Sequence, residues 1–148
     1  MTDIALVENL ETGKWDLSLA GADLATDDGL QTAVALSIIC DAYAAPDDVI
    51  PDGSTDRRGY WGDAFSIIQG DNLGSKDWLL SREKQLPAVL AQAIQSAKDA
   101  LQWMIDDGIA GSISVTGSWI QTGAFQRIIT ITKPDGSTFR YQDLWRAM

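Results

Sequence analysis

The stretch LPAVLAQAIQSAKDALQWMIDDGIAGSISVTGSWIQ, residues 86–121, changes its apolar period midway, and that change decides the fold. In its first half Leu86, Leu90, Ala93, Ile94, Ala97, Leu101, Met104 and Ile105 recur at spacings of three and four, which gathers them on one face of a helix. Pro87 suits a first helical turn, and Gly108 suits the position just past a helix end. A helix over 87–107 is about 31 Å long, enough to cross a sheet.

From Ser112 onward the period becomes two. SISVTGSWIQ (112–121), AFQRIITITK (124–133) and TFRY (138–141) read as three strands, with Thr122 and Gly123 in the first turn and PDGS in the second. Turns this short imply antiparallel pairing, hence a three-stranded meander. Ile113, Val115 and Trp119 share one face of the first strand, and Phe125, Ile129 and Ile131 one face of the next, so the long helix has an apolar surface to cover. The terminal DLWRAM is expected to add a final turn.

Upstream, DIALV (3–7) and KWDLSL (14–19) flank ENLETG, which predicts a β-hairpin with Gly13 in its loop. TDDGLQTAVALSIICDAYA (26–44) predicts a first helix over about 28–44. Asp27 or Asp28 would be its N-cap, Gln31 follows Asp28 as in a capping box, and Leu30, Val34 and Ile38 lie along one face. Pro46 stops that helix. Residues 45–75 then carry Pro, Gly, Asp and Ser every few positions without a sustained period, so a long loop joins the two helices. Tyr60, Trp61, Phe65, Ile67 and Ile68 make it too apolar for a disordered tether, so an ordered loop is expected. KDWLLSREK (76–84) reads as a short helical turn. The expected architecture is α+β in a single domain over 1–148: an N-terminal β-hairpin, two main helices joined by a long ordered loop, and a C-terminal three-stranded antiparallel meander.

A chain of 148 residues buries about 70% of its unfolded surface, enough to dispense with disulfides. The single Cys40 has no partner for one and reads as a buried free thiol in a reducing compartment. MTDIALVENLE lacks the basic start and apolar run of a secretion signal, and no run of about 18 apolar residues occurs, so a soluble, non-exported chain is expected. Charge is uneven. Residues 1–74 hold 14 acids against 3 bases, whereas residues 75–148 hold 7 acids against 8 bases. Phosphate binding needs clustered Lys and Arg, so nucleic acid and anionic membranes are poor partners, and a neutral or basic protein is a better one.

Histidine is absent, which removes the usual general base, the Ser-His and Cys-His pairs and most transition-metal sites. The acid pairs Asp27-Asp28 and Asp106-Asp107 are explained by helix ends. Asp47, Asp48, Asp52 and Asp56 have the composition of a calcium loop but not its register or closing Glu. GDNLGSKD (70–77) fails as a phosphate loop because Ser75 precedes Lys76. Glu83 with a loop Asp would suffice for glycoside hydrolysis, which keeps a carboxylate-based glycan (peptidoglycan) hydrolase as the alternative function. No catalytic residue, cofactor or metal ligand is assigned.

The segment PDGSTDRRGYWGDAF (51–65) is unusual for placing Arg57 and Arg58 beside Tyr60 and Trp61 in a chain short of bases. Trp, Tyr and Arg dominate binding energy at protein interfaces. Asp52, Asp56 and Asp63 are near enough in sequence to hold the guanidinium groups as bidentate partners. Gly53, Gly59 and Gly62 allow tight turning. The other reading is a loop folded back on the core with its arginines in ion pairs, and both can hold at once. Of the six tryptophans, Trp103 on the long helix and Trp119 on a strand are expected in the core, and Trp61 is the exception.

DDGLQTAV (27–34), PDGSTDRRGYWGD (51–63), GSKDWLLSREK (74–84), ALQWMIDDGIA (100–110) and KPDGSTFRYQDLW (133–145) occur in an order that resembles the Mu-like phage baseplate protein family. The likeness spans nearly the whole chain, and DRRGYWGD is its most specific block. It implies a non-enzymatic wedge subunit of a contractile-tail baseplate, similar to sheath-initiator proteins sometimes described as lysozyme-like. Such a subunit would sit in the virion tail after assembly in the host cytoplasm. Its partners would be larger wedge proteins and tail sheath or tube proteins, with no nucleic acid and no membrane. Sheath-initiator relatives often carry a Glu-Pro-Arg segment that engages the wedge. This chain has none and presents Arg82-Glu83-Lys84 in that region. The expected partner-binding residues are therefore Asp52, Arg57, Arg58, Tyr60, Trp61, Asp63, Arg82 and Lys84.

Overall fold

A computed structural model describes residues 3–9, 11–27, 29–81 and 87–146. The fold is α+β. Six short strands form three small antiparallel ladders: β1 (Asp3–Ile4) with β6 (Thr26–Asp27), β2 (Leu6–Asn9) with β3 (Lys14–Leu17), and β4 (Leu19–Ala20) with β5 (Asp23–Leu24). The expected hairpin is β2–β3, and Gly13 in its turn takes φ 65°. This ribbon lies on helix α1 (Leu30–Ile39), where Gln31 Nε2 donates to the Leu6 carbonyl at 3.0 Å and Thr32 Oγ1 to the Ile4 carbonyl at 2.9 Å.

Helix α1 is shorter than its sequence predicts, and its start differs too. Gly29, at φ 85°, is the N-cap, with no side-chain cap bond. The proposed caps therefore do not apply: Asp27 ends strand β6, and Asp28 lies outside the described residues. At the other end the chain turns extended at Cys40, because its backbone is claimed by another segment. Ser75 N–H donates to the Cys40 carbonyl and Ala42 N–H to the Ser75 carbonyl, both at 2.9 Å. Gly74 permits this approach: at φ 121°, a Cβ there would sit 2.7 Å from the Cys40 oxygen. Cys40 itself is half-buried, and burial pushes its thiol above the ordinary value.

Helix α2 (Pro87–Asp106) matches expectation. Its end is a Schellman motif, with Gly108 N–H donating to Ile105 O and Ile109 N–H to Met104 O while Gly108 takes φ 73°. Val89, Ala93, Ala97, Ala100, Leu101 and Met104 are its buried face, and Leu90, Ile94 and Ile105 are half-buried beside them. The small alanines bring the helix close to the sheet. Gly117 helps on the sheet side, since a Cβ there would meet Leu90 at 3.2 Å and Ile94 at 3.4 Å.

The sheet is the expected meander, β7 (Ser112–Gln121), β8 (Ala124–Thr132) and β9 (Thr138–Arg146), with β8 central. The third strand runs further than TFRY: Asp143, Trp145 and Arg146 pair with Arg127, Phe125 and Ala124. The described part of DLWRAM is thus strand, not a final turn, because Trp145 stacks on Phe125 with ring centres 4.8 Å apart. Leu30, Val34, Ile38, Leu101, Met104, Val115, Ile129 and Ile131 form the main core between the two helices and the sheet. A smaller cluster gathers Leu80, Val89, Ala93 and Phe125, with Trp119 and Trp145 packed against it. No helix among the described residues is long and apolar enough to cross a membrane.

Among the described residues, a charged group lies inside this fold. Arg127 is fully buried, its Nε and Nη2 donating to Asp143 at 3.1 and 2.5 Å, and its Nη1 and Nη2 to Asp77 at 3.0 and 2.7 Å. Nη1 also donates to the Ala93 carbonyl at 3.0 Å. Burial alone would lower the basicity of this guanidinium. The two carboxylates outweigh it and hold Arg127 protonated above its ordinary value. Asp77 follows the long loop, Ala93 belongs to α2 and Asp143 to β9, so one side chain ties three parts of the fold together.

Candidate functional site

The segment between α1 and α2 is ordered by its own polar groups. Asp48 Oδ2 accepts from Ala45 N–H at 2.8 Å and from Lys76 Nζ at 2.6 Å, and the Lys76 bond holds this carboxyl below the ordinary range. Arg57 points inward: Nη1 donates to the Ala45 carbonyl and Nη2 to the Pro46 carbonyl at 3.2 Å, while Arg57 O accepts from Ala44 N–H at 3.0 Å. Arg58 reaches Asp41 Oδ2 at 2.6 Å and lies 4.6 Å over the ring of buried Trp78, whose Nε1 donates to the Ala42 carbonyl at 2.9 Å.

This corrects the expectation that Asp52, Asp56 and Asp63 hold the guanidinium groups. Asp52 Oδ1 accepts from Ser54 N–H at 2.9 Å and closes an exposed turn. Asp56 Oδ1 accepts the backbone N–H of Arg58, which sits at φ 53°, and Asp63 Oδ1 accepts Leu73 N–H at 3.0 Å. Short carboxylates within this tight segment are used by nearby amides, which leaves the long arginine side chains to find carbonyls, Asp41 and an indole elsewhere. Among the described residues no three Asp, Glu or Cys side chains gather as metal ligands.

The aromatic half of the segment behaves differently. Trp61–Phe65 forms a 3₁₀ turn, where the sequence suggests no regular element. Gly59 takes φ 100°, and the Tyr60 ring folds over Gly62, where a Cβ would lie 2.4 Å from the ring. Tyr60 and Trp61 are 5.5 Å apart between ring centres, and Trp61 meets Phe65 edge-on at 6.1 Å. Trp61 is 74% exposed, Phe65 77%, Ile68 63% and Ile67 fully exposed. Large apolar side chains in contiguous exposed positions mark a surface that binds something.

Two concavities lie in this region, and the second of them adjoins the ridge. A groove of about 710 Å³ runs between the loop and α2, lined among others by Tyr43, Val49, Lys76, Gln92 and Asp99. A cup of about 380 Å³ is lined by Tyr60, Asp63, Asp71, Trp103 and Asp107. The structure thus brings Arg57, Arg58, Tyr60, Trp61 and Asp63 into one folded unit, in which Trp61 and Arg58 are exposed and Arg57, Tyr60 and Asp63 are half-buried. Arg82, Glu83 and Lys84 lie outside the described residues.

Sequence reasoning missed the Asp77–Arg127–Asp143 group. A signal existed: Arg127 alternates with Phe125, Ile129 and Ile131, and Asp143 with Tyr141 and Trp145, so both occupy inward positions of strands. A charge at an inward strand position calls for a buried counter-charge.

Relatives complete the picture. The family described as Phage protein GP46 matches residues 30–138. Over 142 residues the chain is 39% identical to the baseplate protein gp46 of Escherichia phage Mu, covering 96% of this chain and 94% of that protein. It is 38% identical over 138 residues to the Mu-like prophage FluMu protein gp46 of Haemophilus influenzae, covering 93% and 92% respectively. The chain belongs to the phage protein GP46 family of Mu-like baseplate proteins.

Proposed function

We propose that this chain is a structural, non-catalytic subunit of a phage-tail baseplate, and that it docks onto larger wedge proteins through the Trp61–Ile68 ridge. The observation that carries this reading is the exposure of Trp61, Phe65, Ile67 and Ile68 on a backbone held by the Asp63–Leu73 bond and the arginine anchors. An enzyme keeps its polar groups in a cleft with poised acids or bases. Here the outward groups are aromatic and aliphatic, as in binding surfaces. Arg57 and Arg58 serve this site by shaping it from beneath, and Arg82 and Lys84 are assigned to the same partner. The outer edge of the meander offers a second place where a sheath or tube protein could add a strand, so the subunit would help begin the sheath. Its place is the tail baseplate of the virion, after assembly in the host cytoplasm.

Co-expression with the neighbouring tail gene products, followed by size-exclusion chromatography, tests the proposal. Stable co-elution with a wedge-sized partner is expected, and loss of co-elution for Trp61→Ala with unchanged melting. Full retention of the complex in Trp61→Ala/Phe65→Ala would falsify the docking role of the ridge.

A further inference from the structure

The ridge carries more information than its exposure, because the charge around it is one-sided. The three bases of the loop region are all engaged within the chain: Arg57 on the Ala45 and Pro46 carbonyls, Arg58 on Asp41 and Trp78, Lys76 on Asp48. The cup beside the ridge is lined by Asp63, Asp71 and Asp107, with the rings of Tyr60 and Trp103 as walls and, among the described residues, no basic side chain in its lining. Asp71 and Asp107 are exposed, and Trp103 is fixed by donating Nε1–H to Ser37 Oγ at 3.1 Å. An aromatic-walled cup with three carboxylates favours a cation with an aliphatic stem, through ion pairing and cation–π attraction together.

From this charge complementarity, and resting on the docking role proposed above, we infer that the ridge binds a basic polypeptide surface. The partner places an apolar contact against Trp61, Phe65, Ile67 and Ile68, and one or more Lys or Arg side chains in the Asp63–Asp71–Asp107 cup. The occupant is a protein, not nucleic acid, since a phosphate backbone would meet three carboxylates and no cation of the described lining here. Arg57 and Arg58 brace the segment through the Ala45 and Pro46 carbonyls and Asp41, and the positive charge that fills the cup comes from the partner.

The test uses the full chain with the tail product that co-elutes with it. Wild-type affinity is expected to fall as NaCl rises from low to high concentration, because rim charges are screened. Asp71→Lys/Asp107→Lys is expected to weaken binding at least tenfold at low salt, mainly through slower association, and to abolish most of the salt dependence. Both positions are exposed, so folding is preserved, and circular dichroism verifies it. Carbodiimide coupling of the wild-type complex is expected to join Asp71 or Asp107 to partner lysines. If Trp61→Ala/Phe65→Ala abolishes binding while the charge-reversed variant binds like wild type, the basic-partner inference falls and the docking role stands. If neither variant changes binding, both fall. Trp61-dependent binding to phosphatidylcholine vesicles in place of any tail product would assign the ridge to lipid and overturn the inference.

Discussion

Arg127 faces Asp143 across β8 and β9 and donates two hydrogen bonds to it in the interior, with Asp77 closing the same guanidinium from the other side. An ion group this deeply buried persists only because every charge has its partner. Truncating one member strands the others in a low dielectric, which costs more than the intact group contributes. Arg127→Met is therefore expected to destabilise the fold by about 3–5 kcal/mol, measured as a lower urea midpoint with little change in slope. The triple replacement Asp77→Leu/Arg127→Met/Asp143→Leu is expected to cost less than Arg127→Met alone. A larger cost for the triple variant would contradict this account.

Glu8 supplies a pH signature. Burial, and then the nearby Asp143 carboxylate, push its carboxyl up to about 7, with the Leu144 N–H, Arg127 and Arg146 opposing. Its Oε2 is buried without a hydrogen-bond partner among the described residues. An acid with a raised folded-state value binds more protons folded than unfolded, so stability is highest when Glu8 is protonated and falls as pH rises from about 4.5 to about 7. Because the side chain is only half-buried, the effect is reduced to about 1 kcal/mol. Glu8→Gln is expected to flatten the stability profile over that window and to be the more stable protein at pH 8. A profile unchanged by the substitution would contradict the prediction.

Gly74 tests the backbone clasp that shortens α1. Alanine at φ 121° is strained, and its Cβ would press on the Cys40 carbonyl and the Ala42 nitrogen at 2.7 and 2.8 Å. Gly74→Ala is expected to lower stability by about 1–3 kcal/mol, and hydrogen exchange should show Ser75 and Ala42 amides losing protection first.

Trp61 and Trp78 should separate binding from stability, although they lie in one structural unit. Trp61→Ala is expected to change stability by no more than about 0.5 kcal/mol and to cost at least about 2 kcal/mol of partner binding. Trp78→Ala removes a buried indole and the floor under Arg58, and should cost about 3–5 kcal/mol of stability. Thermal melts and co-elution on the two variants read both quantities.

Most of the scaffold was legible because it follows from periodicity. Pro87, Gly108 and the three-four spacing set α2, and alternation with the Thr122-Gly123 and PDGS turns set the meander in its correct order. What periodicity could not reveal depended on distant contacts. The end of α1 is fixed by Ser75, more than thirty residues on, and β9 is prolonged to Arg146 by the stacking of Trp145 on Phe125. At the candidate site, the composition of residues 51–65 singled out the segment proposed above to dock. It misassigned the jobs within it, because proximity in sequence suggested Asp–Arg pairing where the long arginine side chains instead reach Asp41, the Ala45 and Pro46 carbonyls and Trp78.

The arginine stacked on Trp78 has a mechanical consequence. Trp78 adjoins Asp77, and Asp77 is bonded to Arg127 in the middle strand of the sheet. A pull applied at the aromatic turn would thus pass through Arg58, the indole and the Asp77 carboxylate into the centre of the meander. The long segment works as a stiff bracket bolted to the sheet, able to bear load where a slack leash would only stretch.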